Sequence, residues 1–172
     1  MTLWISLKDL PAEGQDFTFT DQSLWTEPMQ DFGVAGTIGT PLEANLYIVP
    51  QDEGFLVTGS MRGSVIIPCD SCVEDYEAAI EATFDSFEEL TPADDVYADE
   101  CRLRMVHKAP EFDAGGYLWE HFMLALPLRP VCSPGCKGLC PQCGANRNLG
   151  ACDCGKEEGD PRLAVLRKLK LS

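Results

Sequence analysis

The chain has 172 residues, 45% of them hydrophobic, and a formal net charge of −15. That length fits one domain, or one domain carrying a small metal-held module, and no apolar run approaches the roughly 20 residues of a membrane-crossing helix, so a soluble, cytoplasmic protein is expected. The charge argues against non-specific RNA binding by the chain as a whole.

In chain order, Leu3 to Leu7 reads as a strand, and the rest of residues 1–33, with Phe17, Phe19, Leu24 and Trp25 in polar surroundings, shows no regular period. Val34 to Ile38, Leu42 to Val49, Phe55 to Met61 and Ser64 to Ile67 are short β-type runs. The stretch from Leu46 to Val57 reads as a hairpin with Gly54 supplying the turn. Together they predict an antiparallel meander that runs through Ile66 and Ile67 into Cys69-Asp-Ser-Cys72, which would sit on a turn between strands. Tyr76, Ala78, Ile80, Ala82 and Phe84 are apolar at period two and alternate with Glu77, Glu81 and Asp85, the pattern of a strand with one solvated acidic face. Those three acids either wet the surface or meet a basic partner.

Glu88 to Glu100 is an acidic loop containing Pro92. Leu103 and Met105 suggest another strand, with Arg102, Arg104, His107 and Lys108 forming a small basic face. Asp113 to Pro127 is a helix signal: Leu118, Phe122, Ala125 and Leu126 share one face and Pro127 stops it. His107 reads as a surface residue and His121 as a helix-face residue. In the tail, Asp160 is an N-cap, Pro161 takes the first helical position and basic residues fill the last turn. Arg162, Arg167, Lys168 and Lys170 then form the candidate patch for RNA or an acidic partner, although matching to the helix dipole also accounts for them.

The charge is unevenly divided. Residues 1–100 carry Lys8 and Arg62 against 21 acids, a net of −19, and residues 101–172 carry 11 Lys and Arg against seven acids, a net of +4. The first half attracts basic partners, and the second has the sign to touch nucleic acid or an acidic surface. Solubility alone is the simpler explanation of the acids.

Six cysteines fall between Cys132 and Cys154, and Cys69 and Cys72 lie about 60 residues upstream. Tetrahedral Zn²⁺ takes four soft ligands, and Cys-x2-Cys is a spacing whose two sulfurs reach one ion. Cys140-Pro-Gln-Cys143-Gly144 has the form of a zinc knuckle, in which backbone amides approach the first thiolate. Cys152 and Cys154 are its natural second half. Cys69, Cys72, Cys132 and Cys136 remain for a second site, so one or two Zn²⁺ ions are expected, and Cys101 is read as a packed residue. A disulfide framework is the competing explanation, but Met1-Thr-Leu-Trp-Ile-Ser-Leu-Lys-Asp shows no basic start or long apolar run, so no secretory signal is expected.

Redox-active dithiols and an iron–sulfur site are further alternatives. A redox-sensing protein or chaperone would use Cys69/Cys72 or Cys140/Cys143, but Asp70, Glu74 and Asp75 around the first pair are expected to raise its thiol pKa. Four-cysteine sites leave no open position for catalytic water, and no nucleophile elbow, phosphate loop or His-Glu-x-x-His helix is present.

Cys69-Asp-Ser-Cys72, Trp119-Glu-His-Phe-Met-Leu-Ala-Leu-Pro-Leu-Arg-Pro-Val-Cys132, Cys136-Lys-Gly-Leu-Cys-Pro-Gln-Cys-Gly144 and Asp160-Pro-Arg-Leu-Ala-Val-Leu together resemble the YceD (DUF177) family. They cover the later two-thirds of the chain in the family's order. Where the family tends to read Gly-x-Asn-Leu-Asn, this chain has Gly144-Ala-Asn-Arg147-Asn148, a charge beside the knuckle that should not disturb the thiolates. The resemblance implies a non-enzymatic cytoplasmic factor that supports 23S rRNA accumulation or processing and large-subunit assembly, with rRNA or a basic ribosomal protein as partner. The expected architecture is α+β. Residues 1–128 would be a mainly β scaffold, an antiparallel sheet or open barrel with an acidic face and one packed helix. Residues 129–172 would be a cysteine-rich zinc module with a basic C-terminal helix.

Overall fold

A computed structural model describes residues 3–90, 102–150, Cys152 and Cys154. The acidic segment 91–100, Cys101 and the tail with Arg162, Arg167, Lys168 and Lys170 lie outside the described residues.

The described residues form mostly antiparallel sheet with two helices, an α+β arrangement. Strands β1 (Trp4–Ser6), β8 (Ala109–Asp113) and β7 (Leu103–Val106) form one three-stranded sheet. The larger sheet runs β2 (Gln15–Phe19), β4 (Glu43–Gln51), β5 (Gly54–Pro68), with β3 (Thr37–Ile38) and β6 (Asp75–Glu89) also paired to β5. The expectation of a single sheet or open barrel is therefore replaced by two separate sheets.

Alternation decides which face is inside. On β4 and β5, Ala44, Leu46, Ile48, Val57, Met61 and Val65 are buried, whereas Asn45, Thr58, Ser60 and Arg62 face out. The two runs on either side of Arg62-Gly63 are one strand rather than two, because β6 pairs continuously with β5 from Pro68↔Asp75 to Gly54↔Glu89. That pairing also takes Glu88 and Glu89 into a strand where a loop was expected. Gly54 is not in the turn: it pairs with Gln51, leaving Asp52 and Glu53 as the turn. Its missing side chain instead lets the Glu88 carbonyl approach, since a Cβ there would collide with that oxygen.

A single packed helix was expected in the scaffold, and the described residues contain two. Helix α1 (Ser23–Asp31) contains Pro28 and has no side-chain cap, so its sequence advertises it poorly. Burial holds it: Leu24, Trp25, Pro28 and Met29 are inside, and the Trp25 ring packs 5.6 Å from Phe122. Helix α2 (Ala114–Ala125) is capped by Asp113, whose carboxylate accepts the Gly116 amide at 3.0 Å. Leu126 then turns extended, as a residue before proline tends to. The Tyr117, Leu118 and Phe122 side chains of α2 complete the core.

The expected basic face at β7 is largely neutralised. Arg104 pairs with Glu111 at 2.7 Å and lies 3.9 Å over the Trp4 ring, and Arg102 pairs with Glu120 and, at 3.6 Å, with Asp113. His107 is exposed in the turn that joins β7 to β8.

His121 stacks on Phe84 with ring centroids 3.9 Å apart. Burial, assisted by the Arg102 charge, lowers its pKa below the ordinary 6.5 against opposing pulls from Glu120 and Glu88. A depressed histidine contributes stability that is present above its ordinary pKa and is lost as pH falls through the folded value. His121→Phe should therefore lose less stability than the wild type between about pH 7.5 and about pH 5.5, read as the shift in urea midpoint. An equal shift in both proteins would refute this.

Candidate metal centre

The β5–β6 hairpin ends in a tight loop, Cys69 to Glu74. The Cys69 amide donates to the Glu74 carbonyl at 2.9 Å and the Val73 amide to the Cys69 carbonyl at 2.9 Å, which turns both sulfurs toward the chain that follows α2. That chain is tied on by two backbone bonds: the Asp70 amide donates to Pro130 O at 2.8 Å and the Leu139 amide to Ser71 O at 2.9 Å. Between those anchors lie Cys132 and Cys136. Their sulfurs stand 3.7 Å from Cys72 Sγ and 3.9 Å from Cys69 Sγ, respectively.

Those separations carry chemical information. A disulfide would require about 2.05 Å. Four sulfurs placed tetrahedrally 2.3 Å from a metal ion stand about 3.8 Å apart, and the observed pairs fit that edge.

The second group begins at Leu139, which bridges to Asn146. The Cys140 amide donates to Ala145 O and the Gly144 amide to Cys140 O, both at 2.8 Å, with Gly144 at φ +73°. This knuckle brings Cys140 and Cys143 together with Cys152 and Cys154. Within each group of four all sulfurs lie within 4.8 Å of one another, so two four-cysteine groups in this structure can hold metal ions. The first group is the more enclosed: Cys69 and Cys72 are buried, whereas Cys143 in the second is exposed.

Backbone amides prepare one thiolate in each group. The Cys132 amide, aided by those of Cys72 and Ser71, pulls Cys69 down to about 6, and the Cys143 and Gln142 amides do the same for Cys140. Proton sharing with Cys136 pushes Cys132 up to about 12, and sharing with Cys143 pushes Cys154 up to about 12. Four anions this close repel one another, and a divalent cation relieves that repulsion. The expectation that Asp70, Glu74 and Asp75 would raise both thiols of the first pair fails for Cys69, because three amides outweigh the raising effect of its burial.

Two asparagines were not singled out in the sequence. Asn148 accepts the Lys137 amide at 2.8 Å and donates to Cys136 Sγ at 3.4 Å, holding Cys136 below the usual thiol range. Asn146 accepts the Asn148 amide at 3.0 Å and donates to Glu74 at 3.3 Å, so the knuckle is joined to the hairpin loop. Arg147 between them is exposed. The Asn-Arg-Asn run was the signal available for this second layer of contacts.

On the opposite, solvated side of β6, Glu77, Glu81 and Asp85 are exposed on one face. Glu77 accepts from Ser64 and Thr40, and the Ser64 bond is the main reason its carboxyl lies below the usual range.

The model of the family described as "Large ribosomal RNA subunit accumulation protein YceD" matches residues 57–170. A curated relative, "Large ribosomal RNA subunit accumulation protein YCED homolog 1, chloroplastic" of Arabidopsis thaliana, is 24% identical over 158 residues, covering 77% of this chain and 49% of its own. Uncharacterized proteins of Mycobacterium bovis and Mycobacterium tuberculosis are 31% identical over 113 residues, covering 62% of this chain and 51% of theirs. The chain thus spans about half the length of the curated relatives it matches. No solved structure matches.

Proposed function

Since the chain belongs to the YceD family, we propose that it is a non-enzymatic, cytoplasmic factor in ribosome biogenesis that supports 23S rRNA accumulation or processing and large-subunit assembly. The observation that carries this reading is the family match over residues 57–170, a range that contains both cysteine groups. In this reading residues 129–172 are a module held by structural Zn²⁺, with Cys69, Cys72, Cys132 and Cys136 around one ion and Cys140, Cys143, Cys152 and Cys154 around the other. Zinc suits the all-sulfur donor sets and the tetrahedral edge, and saturation by four thiolates leaves it no catalytic role. Residues 1–128 are the scaffold. Glu77, Glu81 and Asp85 offer an acidic face to a basic ribosomal protein, and Arg162, Arg167, Lys168 and Lys170 offer cations to rRNA.

The test is the ratio of 23S to 16S rRNA, with a ribosome gradient, in cells of the source organism lacking this protein. A selective fall in 23S rRNA and in large subunits is expected, and an unchanged ratio would refute the reading. No helix of the described residues is long and apolar enough to cross a membrane.

A further inference from the structure

Strand β6 is hydrogen-bonded along its whole length to β5 on one side. Among the described residues no strand pairs with its other edge, and no loop or turn backbone bonds to it there. Fifteen residues of open strand edge present a row of unpaired amides and carbonyls, the usual template for strand addition.

The side chains on this edge are selective. Glu77, Ala79, Glu81, Thr83, Asp85, Phe87 and Glu89 point to the solvated face, and β6 carries six acids and no base. Arg62 is the one basic residue on the five strands of this sheet, and although it stands opposite Glu81 in register it pairs with Glu43 at 3.1 Å. Glu81 and Asp85 therefore make no ion pair or side-chain hydrogen bond among the described residues. A second copy of this chain would bring acid against acid along the edge, and a phosphate backbone would meet the same repulsion. A strand bearing Lys or Arg on its solvated face would set cations opposite Glu77, Glu81, Asp85 and Glu89, which recur at every fourth position, with the Cβ atoms of facing residues about 5 Å apart.

We propose that the open edge of β6 is the docking site for an extended, Lys/Arg-bearing segment of a partner protein. The segment adds as a strand, with its main chain bonded to β6 and basic side chains four positions apart on Glu81 and Asp85. The inference rests on the reading above in expecting a basic protein partner, and it adds the edge, the mode of binding and the sequence pattern recognised.

The experiment uses the metal-loaded full chain and a fluorescent peptide of alternating lysine and valine, about eight residues long, followed by anisotropy at low salt. Binding is expected. Each of Glu81→Lys and Asp85→Lys should weaken it about tenfold, and both sites are exposed, so the fold is retained. N-methylation of alternate peptide amides should abolish binding in one register and spare it in the other, because only every second amide of an added strand faces β6. Equal binding by both methylated peptides would overturn the proposal, since it would show charge attraction without strand addition. So would absence of binding, including the case in which the chain's own residues 159–172 already occupy the edge. Preferential binding of a uridine-rich oligonucleotide, sensitive to the same substitutions, would overturn it as well. Failure here leaves the rRNA ratio untouched, and an unchanged ratio leaves peptide binding untouched, so the two readings fail separately.

Discussion

Cys72→Ser is expected to leave the protein with one bound metal ion in place of two and to release residues 130–148 from the β5–β6 hairpin. The first cysteine group joins positions 60 residues apart, and its sulfurs meet across the Cys72–Cys132 and Cys69–Cys136 pairs. Cross-linking a loop of that length constrains the unfolded chain by about 4 kcal/mol on the chain-entropy model. Among the described residues, two backbone bonds, the Cys132 amide on Cys69 Sγ and the Asn146–Glu74 contact would then remain to anchor the segment. The checks are metal content per chain and limited proteolysis between residues 129 and 149. Cys143→Ser provides the contrast, because it opens the second group and leaves the hairpin anchored. Full metal content in Cys72→Ser would contradict the assignment, and rapid alkylation of Cys69 and Cys72 in the metal-loaded wild type would turn attention to redox chemistry.

Gly138→Ala is expected to destabilise the same junction by about 3 kcal/mol. Gly138 is buried with φ +66°, and an added Cβ would stand 2.8 Å from the Ser71 carbonyl. Left-handed backbone costs an alanine about 1–2 kcal/mol. The rest comes from pushing away the same Ser71 oxygen that the Leu139 amide needs. Chelator-driven metal release should accelerate as the denaturation midpoint falls. Gly144→Ala separates the two causes: φ there is +73° but nothing lies within 4 Å, so only the backbone cost of about 1 kcal/mol remains. Equal effects at the two glycines would refute the crowding argument.

Several features were legible in the sequence because their signals are local. The period-two apolar pattern of β6 requires only that one strand have a dry and a wet face, and α2 announces itself by its Asp113 cap, its apolar stripe and Pro127. The knuckle at Cys140 is likewise contained in a few consecutive residues whose amides reach the first sulfur. Its residues suffice to suggest metal chemistry before any fold is known.

Other features depend on partners distant in the chain. Helix α1 lacks a cap and contains Pro28, and it is held by burying Trp25 against Phe122, which lies 97 positions later in the chain. The single long β5 exists because β6 pairs with it across Gly63, and Gly54 is explained by the close approach of Glu88 rather than by a turn. Arg102 and Arg104 read as a basic face until the fold supplies Asp113, Glu120 and Glu111 as counter-ions. The sequence by itself determined the strand faces, the second helix and the presence of metal-capable thiols, since neighbouring residues alone decide those. Only the tertiary structure decided which distant thiols meet, which charges are already paired and which strand edge stays open, because each of these depends on what the folded chain places opposite it.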